Sequence, residues 1–143
     1  METLEAIKTR RSVREFSDRK VEKEKILEIL DAGRFAPSGL NNQPWKFRIV
    51  RDRKEKELLA EQTRYAGIIR SAPAAIAVFL DNTETYDRTK DVQATGACIL
   101  KNKEAVNRIL SAPEGCELMV VIAVGYGKPK EEAGRKELGE LML

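Results

Sequence analysis

Two short segments, far apart in the chain, carry the side chains best suited to binding chemistry. Residues 10–14 place three guanidinium groups and one hydroxyl within five positions, and residues 36–45 combine two prolines with three side-chain amides. A guanidinium offers a planar fork of donors that matches phosphate, and an amide offers both a donor and an acceptor to a heterocycle. Together they predict a phosphorylated, planar, hydrogen-bonding cofactor, and a flavin is the natural candidate.

The bulk composition allows one domain built on one core. The chain has 143 residues, of which 42% are hydrophobic and 34% charged, so a single globular domain over residues 1–143 is expected. Apolar runs such as residues 118–124 are far shorter than the ~20 residues of a membrane helix. The acidic, weakly apolar start does not resemble a signal peptide. We therefore expect a cytoplasmic protein without a membrane partner.

Charge, histidine and cysteine content narrow the possible chemistry. The 26 basic and 23 acidic residues leave a net charge of +3 spread along the chain, so no nucleic-acid partner is expected. The chain has no histidine, and Cys98 and Cys116 have no CxxC spacing, so we expect no metal site and two buried structural thiols. The commonest general base is absent. Any chemistry must therefore depend on a cofactor, a carboxylate or a lysine.

The apolar patterns predict three strands between helices. Strands are expected at 46–51, 73–80 and 117–124, with the second, apolar throughout, at the centre of the sheet. Helices are expected at 4–9, from a Ser17–Asp18 cap to Pro37, from Asp52 towards Arg70, after a cap at Asp91, and over 103–110. The tail from 131 to 143 is a closing helix or an arm on a partner. These elements give an α+β or α/β sandwich.

Each motif also has a purely structural interpretation. The arginines could be a solvated helix end that pairs with nearby glutamates, Trp45 is expected in the core, and Asn42 and Gln43 could satisfy the backbone of their own loop. Gly125-Tyr126-Gly127 lacks the third glycine of a dinucleotide fingerprint, since position 130 is lysine. A tight strand exit is favoured there.

Taken in order, three segments resemble the nitroreductase family of FMN flavoproteins. They are residues 10–16 (Arg-Arg-Ser-Val-Arg-Glu-Phe), residues 36–45 (Ala-Pro-Ser-Gly-Leu-Asn-Asn-Gln-Pro-Trp), and Gly125-Tyr126-Gly127 followed by 135–138. The resemblance covers nearly the whole chain, and the ten-residue segment is its most specific part. It implies a nitroreductase-like α+β sandwich with a central, mainly antiparallel sheet flanked by helices. It also implies a homodimer with two FMN sites, each built from both chains.

The resemblance assigns cofactor-binding roles to nine residues, and none to a catalytic side chain or a metal ligand. One subunit would provide Arg10, Arg11, Ser12 and Arg14, and the other subunit would provide Pro37, Ser38, Gly39 and Asn41. The first group would lie along the phosphate and ribityl chain, with Arg14 at the pyrimidine end of the ring. The second group would cover the ring and the ribityl region. Arg135 would hold the phosphate.

The activity that the resemblance implies is alternating hydride transfer. NADH or NADPH would reduce FMN, which would then reduce a small-molecule acceptor such as a nitro compound, a quinone or a free flavin. One departure from the family pattern stands out. Between 91–99 and 103–106 the family has a long apolar helix and a Gly-Leu-Gly-type turn, which this chain lacks. The alternative is therefore a non-catalytic protein that binds FMN or another phosphorylated ligand at a degenerate site.

Overall fold

A sheet of three antiparallel strands carries the elements that the computed structural model describes, which comprise residues 3–9, 12–95, 109–127 and 137–142. The strands are β1 (Trp45–Val50), β2 (Ala74–Asp81) and β3 (Cys116–Val124), in the spatial order β1-β2-β3. All eight positions of β2 are buried. The prediction of a central, doubly covered strand is confirmed, because a continuous apolar run needs cover on both of its faces.

Helices cover both faces of this sheet. In the described ranges they are α1 (Thr3–Thr9), α2 (Lys23–Gly33), α3 (Arg53–Glu61), α4 (Ala66–Ser71) and α5 (Arg88–Thr95), with 3-10 turns at Gly39–Asn41 and Leu138–Glu140. On one face Ala75, Ala77 and Phe79 of β2 pack with residues of α3 and α4. On the other face Ile76 and Val78 belong to a cluster with Ile26 of α2. The α+β sandwich is thus confirmed, with the period-2 alternation of β2 dividing the core in two.

Local signals account for most of the element boundaries. Trp45 is buried at the start of β1, as predicted. Asp52 caps α3 by accepting a hydrogen bond from the Glu55 backbone N–H at 2.9 Å. The single helix predicted from Asp52 towards Arg70 is in fact two helices, since α3 ends at Glu61 and α4 begins at Ala66. Within β3, Val78 faces Val120 while Phe79 faces Leu118, which makes Met119 the extra residue of a β-bulge.

The second helix is shorter than its apolar pattern predicts. It begins at Lys23 with Glu22 as its N-cap residue, not at the predicted Ser17–Asp18 cap. Ser17 is instead held at the exit of β3, where its backbone N–H donates to the Tyr126 carbonyl at 2.7 Å. Phe35 lies beyond the end of α2 and is 72% exposed, so it is not part of the core.

The prediction that Asp91 caps a helix is wrong. Asp91 lies inside the first turn of α5, and the capping carboxylate belongs to Asp87, which accepts hydrogen bonds from the backbone N–H groups of Thr89 and Lys90 at 3.0 and 3.2 Å. Asp91 is instead fully buried.

Several predictions fall partly or wholly outside the described residues. They concern Cys98, the predicted helix over 103–110 up to residue 108, and most of the tail. Cys116 is buried, as predicted, and burial raises the pKa of its thiol. No helix in the described ranges is long and apolar enough to cross a bilayer.

Candidate cofactor site

The described part of the arginine segment, residues 12–17, lies mostly at the surface, with Val13 and Phe16 half-buried. Ser12 and Arg14 are both exposed. Arg14 Nη1 lies 3.5 Å from the Ser12 carbonyl oxygen, at the outer limit of a hydrogen bond. Arg10, Arg11 and Arg135 lie outside the described residues. The guanidinium of Arg14 is therefore presented at the surface.

Two glycines at the exit of β3 fix the arginine segment in place. Phe16 forms an antiparallel bridge with Gly127. A Cβ added at Gly127 would overlap the Glu15 carbonyl and lie 2.6 Å from Val13 Cγ1, and one at Gly125 would lie 2.5 Å from Pro73 Cδ. Gly127 is thus required for close backbone approach, and Gly125 for close packing against the side chains of Pro73 and Phe16. Residues 13–16 therefore pack against residues 125–127, the predicted tight strand exit, which is called the docking strip below.

Between these glycines, Tyr126 connects the exit of β3 to the start of α2. Its hydroxyl donates to Glu22 Oε2 at 2.6 Å and accepts from Lys25 Nζ at 3.1 Å. The Arg19 guanidinium lies 4.0 Å from the centroid of the tyrosine ring and 3.0 Å from Glu22 Oε1. The hydrogen bond from Tyr126, followed by those from the Glu22 backbone and Arg19, lowers the pKa of Glu22 from 4.5 to about 2.

This lowered pKa predicts a specific acid response. A carboxylate whose folded pKa is depressed contributes stability that is present above its unfolded value, near pH 4.5, and is lost as the pH falls towards 2. We expect Tyr126→Phe to flatten the fall of unfolding free energy between pH 5 and pH 3, measured by urea denaturation. Tyr65→Phe, at an exposed tyrosine, is the control that should keep the wild-type slope. Equal slopes in all three proteins would contradict the assignment.

The second candidate segment, here called the amide loop, comprises residues 37–44 and has an unusual backbone. Leu40, Asn41 and Gln43 have φ values of 54°, 57° and 46°. The left-handed conformation costs a non-glycine residue of order 1 kcal/mol, so the surrounding contacts must hold it. Within the loop, the Gln43 backbone N–H donates to Ser38 Oγ at 3.1 Å, and Gln43 Nε2 donates to the Asn41 carbonyl at 3.3 Å. Gln43 therefore serves its own loop.

The loop turns several of its residues outward. Pro37 and Asn41 are exposed, Ser38 and Gly39 are half-buried, and the Leu40 side chain is 84% exposed. A Cβ added at Gly39 would overlap the phenol ring of Tyr86, so this glycine is required by close packing. The four predicted binding residues of this segment thus lie together in one loop that is at least partly open to solvent.

The amide loop is anchored to the connection between β2 and α5. The Asp81 backbone N–H donates to the Pro44 carbonyl at 2.6 Å. Asn42 Nδ2 donates to the Glu84 carbonyl at 2.9 Å and to Asp91 Oδ1 at 3.3 Å. The other carboxylate oxygen, Asp91 Oδ2, accepts from the Tyr86 N–H at 3.3 Å and the Asp87 N–H at 3.4 Å. Sequence reasoning missed this pairing, since 49 positions separate Asn42 from Asp91 and no spacing rule connects them.

The turn at the end of β2 is stabilised by its own carboxylate. Asp81 Oδ1 accepts from the Thr83 hydroxyl at 2.6 Å and from the Thr83 backbone N–H at 3.0 Å, while Lys46 Nζ lies 3.4 Å from Asp81 Oδ2. These contacts, with the Thr83 hydroxyl first, lower the pKa of Asp81. The end of β2, to which the amide loop is bonded, therefore carries an ionised and hydrogen-bonded carboxylate, that of Asp81.

The two groups of predicted binding residues lie at opposite ends of the sheet. The arginine segment bridges to Gly127, beyond the Ala74 end of β2, whereas the amide loop is bonded to Asp81 at the other end. Seven steps of ~3.3 Å separate Ala74 from Asp81, which is about 23 Å. One chain therefore does not bring the arginine segment and the amide loop together.

An apolar groove adjoins the amide loop. It has a volume of ≈ 570 Å³ and is lined by Leu27, Leu30, Asp31, Arg34, Gln43, Trp45 and Phe47. Leu27 is 47% exposed although it lies on a helix that packs against the sheet. Phe35 and Leu40 are also exposed, at 72% and 84%, so these three large apolar side chains between residues 27 and 40 are left uncovered by the described part of the chain.

Comparisons with known proteins identify the family and the fold of this chain. The family model described as "Nitroreductase family" matches residues 7–100, which include the arginine segment and the amide loop. A "Putative NADH dehydrogenase/NAD(P)H nitroreductase" from Methanothermobacter thermautotrophicus is 33% identical over 160 residues, covering 96% of this chain and 83% of the relative. The crystal structure of a "putative nitroreductase in complex with fmn" from Desulfovibrio desulfuricans is 32% identical, with a TM-score of 0.82 over 100% of this chain and 97% of that one.

A structure of similar title from Parabacteroides distasonis, "Putative NADH dehydrogenase/NAD(P)H nitroreductase", is 31% identical, with a TM-score of 0.85 over 99% of this chain and 96% of that one. The match to Methanothermobacter extends over 160 positions, whereas 96% of 143 residues is about 137, so the relative has extra residues within the aligned span. The family match, the full-length similarity and the shared fold lead to one conclusion: this chain belongs to the nitroreductase family.

Proposed function

We propose that this protein is an FMN-dependent oxidoreductase that uses NADH or NADPH to reduce nitro compounds, quinones or flavins. The observation that carries the proposal is the amide loop, whose left-handed backbone is held by hydrogen bonds and whose Pro37 and Asn41 face outward. A solved relative that is 32% identical over the whole chain is described in complex with FMN.

The proposed site needs two copies of the chain. Because the arginine segment and the amide loop lie at opposite ends of β2, a strand about 23 Å long, a two-fold axis would bring the arginine segment of one copy to the amide loop of the other, and would do so twice. The uncovered apolar side chains of Leu27, Phe35 and Leu40 support such an interface. A homodimer with two identical sites follows.

The donor set of this chain fits FMN. Guanidinium groups match a phosphate, and a fixed positive charge at Arg14 would favour the reduced flavin, which is negative at its pyrimidine end. Bound FMN would supply the hydride chemistry, accepting two electrons from the nicotinamide and passing them to the acceptor. Arg10, Arg11, Ser12 and Arg135 would bind the phosphate and ribityl chain. Pro37, Ser38, Gly39 and Asn41 of the other subunit would cover the ring and exclude water.

This proposal is tested by reconstitution. The purified protein, incubated with FMN and desalted, is expected to be yellow, to quench flavin fluorescence, and to lose its visible absorbance on anaerobic addition of NADH or NADPH. Addition of menadione or nitrofurazone should restore the absorbance. A protein that remains colourless and takes up no FMN would refute the proposal.

The second candidate is a protein that binds FMN but does not turn over. It is favoured by the extra residues that the Methanothermobacter relative has within the aligned span, because a shortened chain can lose part of a catalytic site while keeping its binding loops. Tight FMN binding without bleaching by either nicotinamide, and without oxidation of NADH by any acceptor, would select this candidate.

A further inference from the structure

The structure contains a buried carboxylate that the proposed chemistry does not use. Asp91 is fully buried in α5, and its two oxygens face two different segments. Oδ2 accepts backbone N–H groups of the 86–87 connection, and Oδ1 accepts the amide of Asn42 in the amide loop. The Asp91 carboxylate therefore connects the amide loop to residues 86–87 through hydrogen bonds.

Asn42, the partner of Asp91 in this contact, has only one of its two polar side-chain atoms hydrogen-bonded. Its Nδ2 group donates to both the Glu84 carbonyl and Asp91, but its Oδ1 is buried and has no hydrogen-bond partner among the described residues. A buried unpaired carbonyl is unfavourable. We therefore expect the two donor contacts of Asn42 to stabilise the folded protein by more than the unpaired Oδ1 destabilises it.

The amide loop needs such an external restraint. Three of its non-glycine residues have left-handed backbones, and strained conformations persist only where neighbouring contacts determine them. The hydrogen bonds within the loop fix Ser38, Asn41 and Gln43 relative to one another. The Asn42 contacts fix the loop relative to the sheet.

We infer that Asp91 is a positioning residue for cofactor binding, which acts through Asn42 to hold the amide loop in its binding conformation. The inference rests on the proposed function, because the loop is taken to cover FMN. It adds to the proposed site a hydrogen-bonded pair, Asn42 and Asp91, to which the family resemblance assigns no role.

The test compares Asp91→Asn and Asn42→Asp with a matched control, Asp87→Asn. The control removes a carboxylate that caps α5 from the same connection but makes no contact with the amide loop among the described hydrogen bonds. FMN dissociation constants are measured by fluorescence quenching well below each melting temperature. We expect about a tenfold weaker affinity for Asp91→Asn, the equivalent of one charge-assisted hydrogen bond. A larger loss is expected for Asn42→Asp, which opposes two carboxylates.

Asp87→Asn should lower the melting temperature while leaving FMN affinity within about twofold of wild type. The double variant Asn42→Asp/Asp91→Asn restores one acid–amide pair and should recover part of the affinity lost by Asn42→Asp. If Asp91→Asn lowers the melting temperature but leaves the FMN affinity and the visible spectrum of the bound flavin unchanged, Asp91 is only structural and the inference is overturned.

A readout without FMN separates this inference from the proposed function. Amide hydrogen exchange in residues 38–43 should become faster in Asp91→Asn than in Asp87→Asn, in protein to which no flavin has been added. Wild-type protein that binds no FMN refutes the proposed function. Unchanged exchange in residues 38–43 refutes the restraint, whatever the wild-type protein binds.

Discussion

Gly127→Ala is expected to weaken FMN binding by about a hundredfold, the equivalent of about 3 kcal/mol. The added Cβ would overlap the Glu15 carbonyl, which is backbone and cannot rotate away as a side chain can. Residues 13–16 would have to leave the exit of β3, and the outward position of Arg14 would be lost with them. The overpacking should also lower the unfolding free energy by about 1–3 kcal/mol.

The measurement is the FMN dissociation constant by fluorescence quenching, at a temperature where circular dichroism shows a folded variant. Gly67→Ala is the matched control, because no described residue lies within 4 Å of the Cβ it would add. Since Gly67 lies in α4, that variant should bind FMN normally and gain up to about 1 kcal/mol of stability. An FMN affinity of Gly127→Ala within threefold of wild type would show that the glycine does not position the arginine segment.

The second large effect is expected from mixing two defective subunits. Arg14→Gln and Asn41→Asp should each bind FMN poorly as homodimers. A heterodimer of the two, purified through two different tags, should bind about one FMN per dimer at the wild-type dissociation constant. The reason is that one of its sites pairs the intact arginine segment of one subunit with the intact amide loop of the other, while the second site carries both defects.

This result separates a shared site from a site within one chain. If each site were built from a single chain, the heterodimer would contain two singly defective sites and no site of wild-type affinity. A heterodimer of wild type and Arg14→Gln controls for the tags, because it retains one intact site under either arrangement. Elution of the wild-type protein as a monomer on size-exclusion chromatography would contradict the shared site directly.

The pattern of residues along the chain predicted the sheet well. The period-2 run of β1 and the continuous apolar run of β2 allow few other structures, and the structure places both strands within two residues of the prediction. The second helix was predicted too long because its apolar residues were all assigned to one core. Leu27 and Phe35 are instead exposed, and a single chain cannot distinguish an apolar face for its own core from one for a partner.

The candidate site was proposed from residue types and from a family resemblance, and its roles stay predictions. Arg14 and Asn41 were assigned theirs by the positions that they hold in the family's motifs, which say nothing about the contacts that support them. Asp91 was predicted as a cap because an aspartate before an apolar stretch has that propensity. Its true partner, Asn42, becomes its neighbour only when β1 pairs with β2. Contacts of this kind follow from topology, and no local pattern encodes them.

The bridge between Phe16 and Gly127 determines when a growing chain can complete its binding surfaces. The anchors of the amide loop lie within residues 81–91, so they are synthesised at least 36 residues before Gly127. The arginine segment is made first but stays without its docking strip until 111 further residues have been synthesised. Nascent chains released before Gly127 would thus have no place to dock residues 13–16, because a domain folds as a unit.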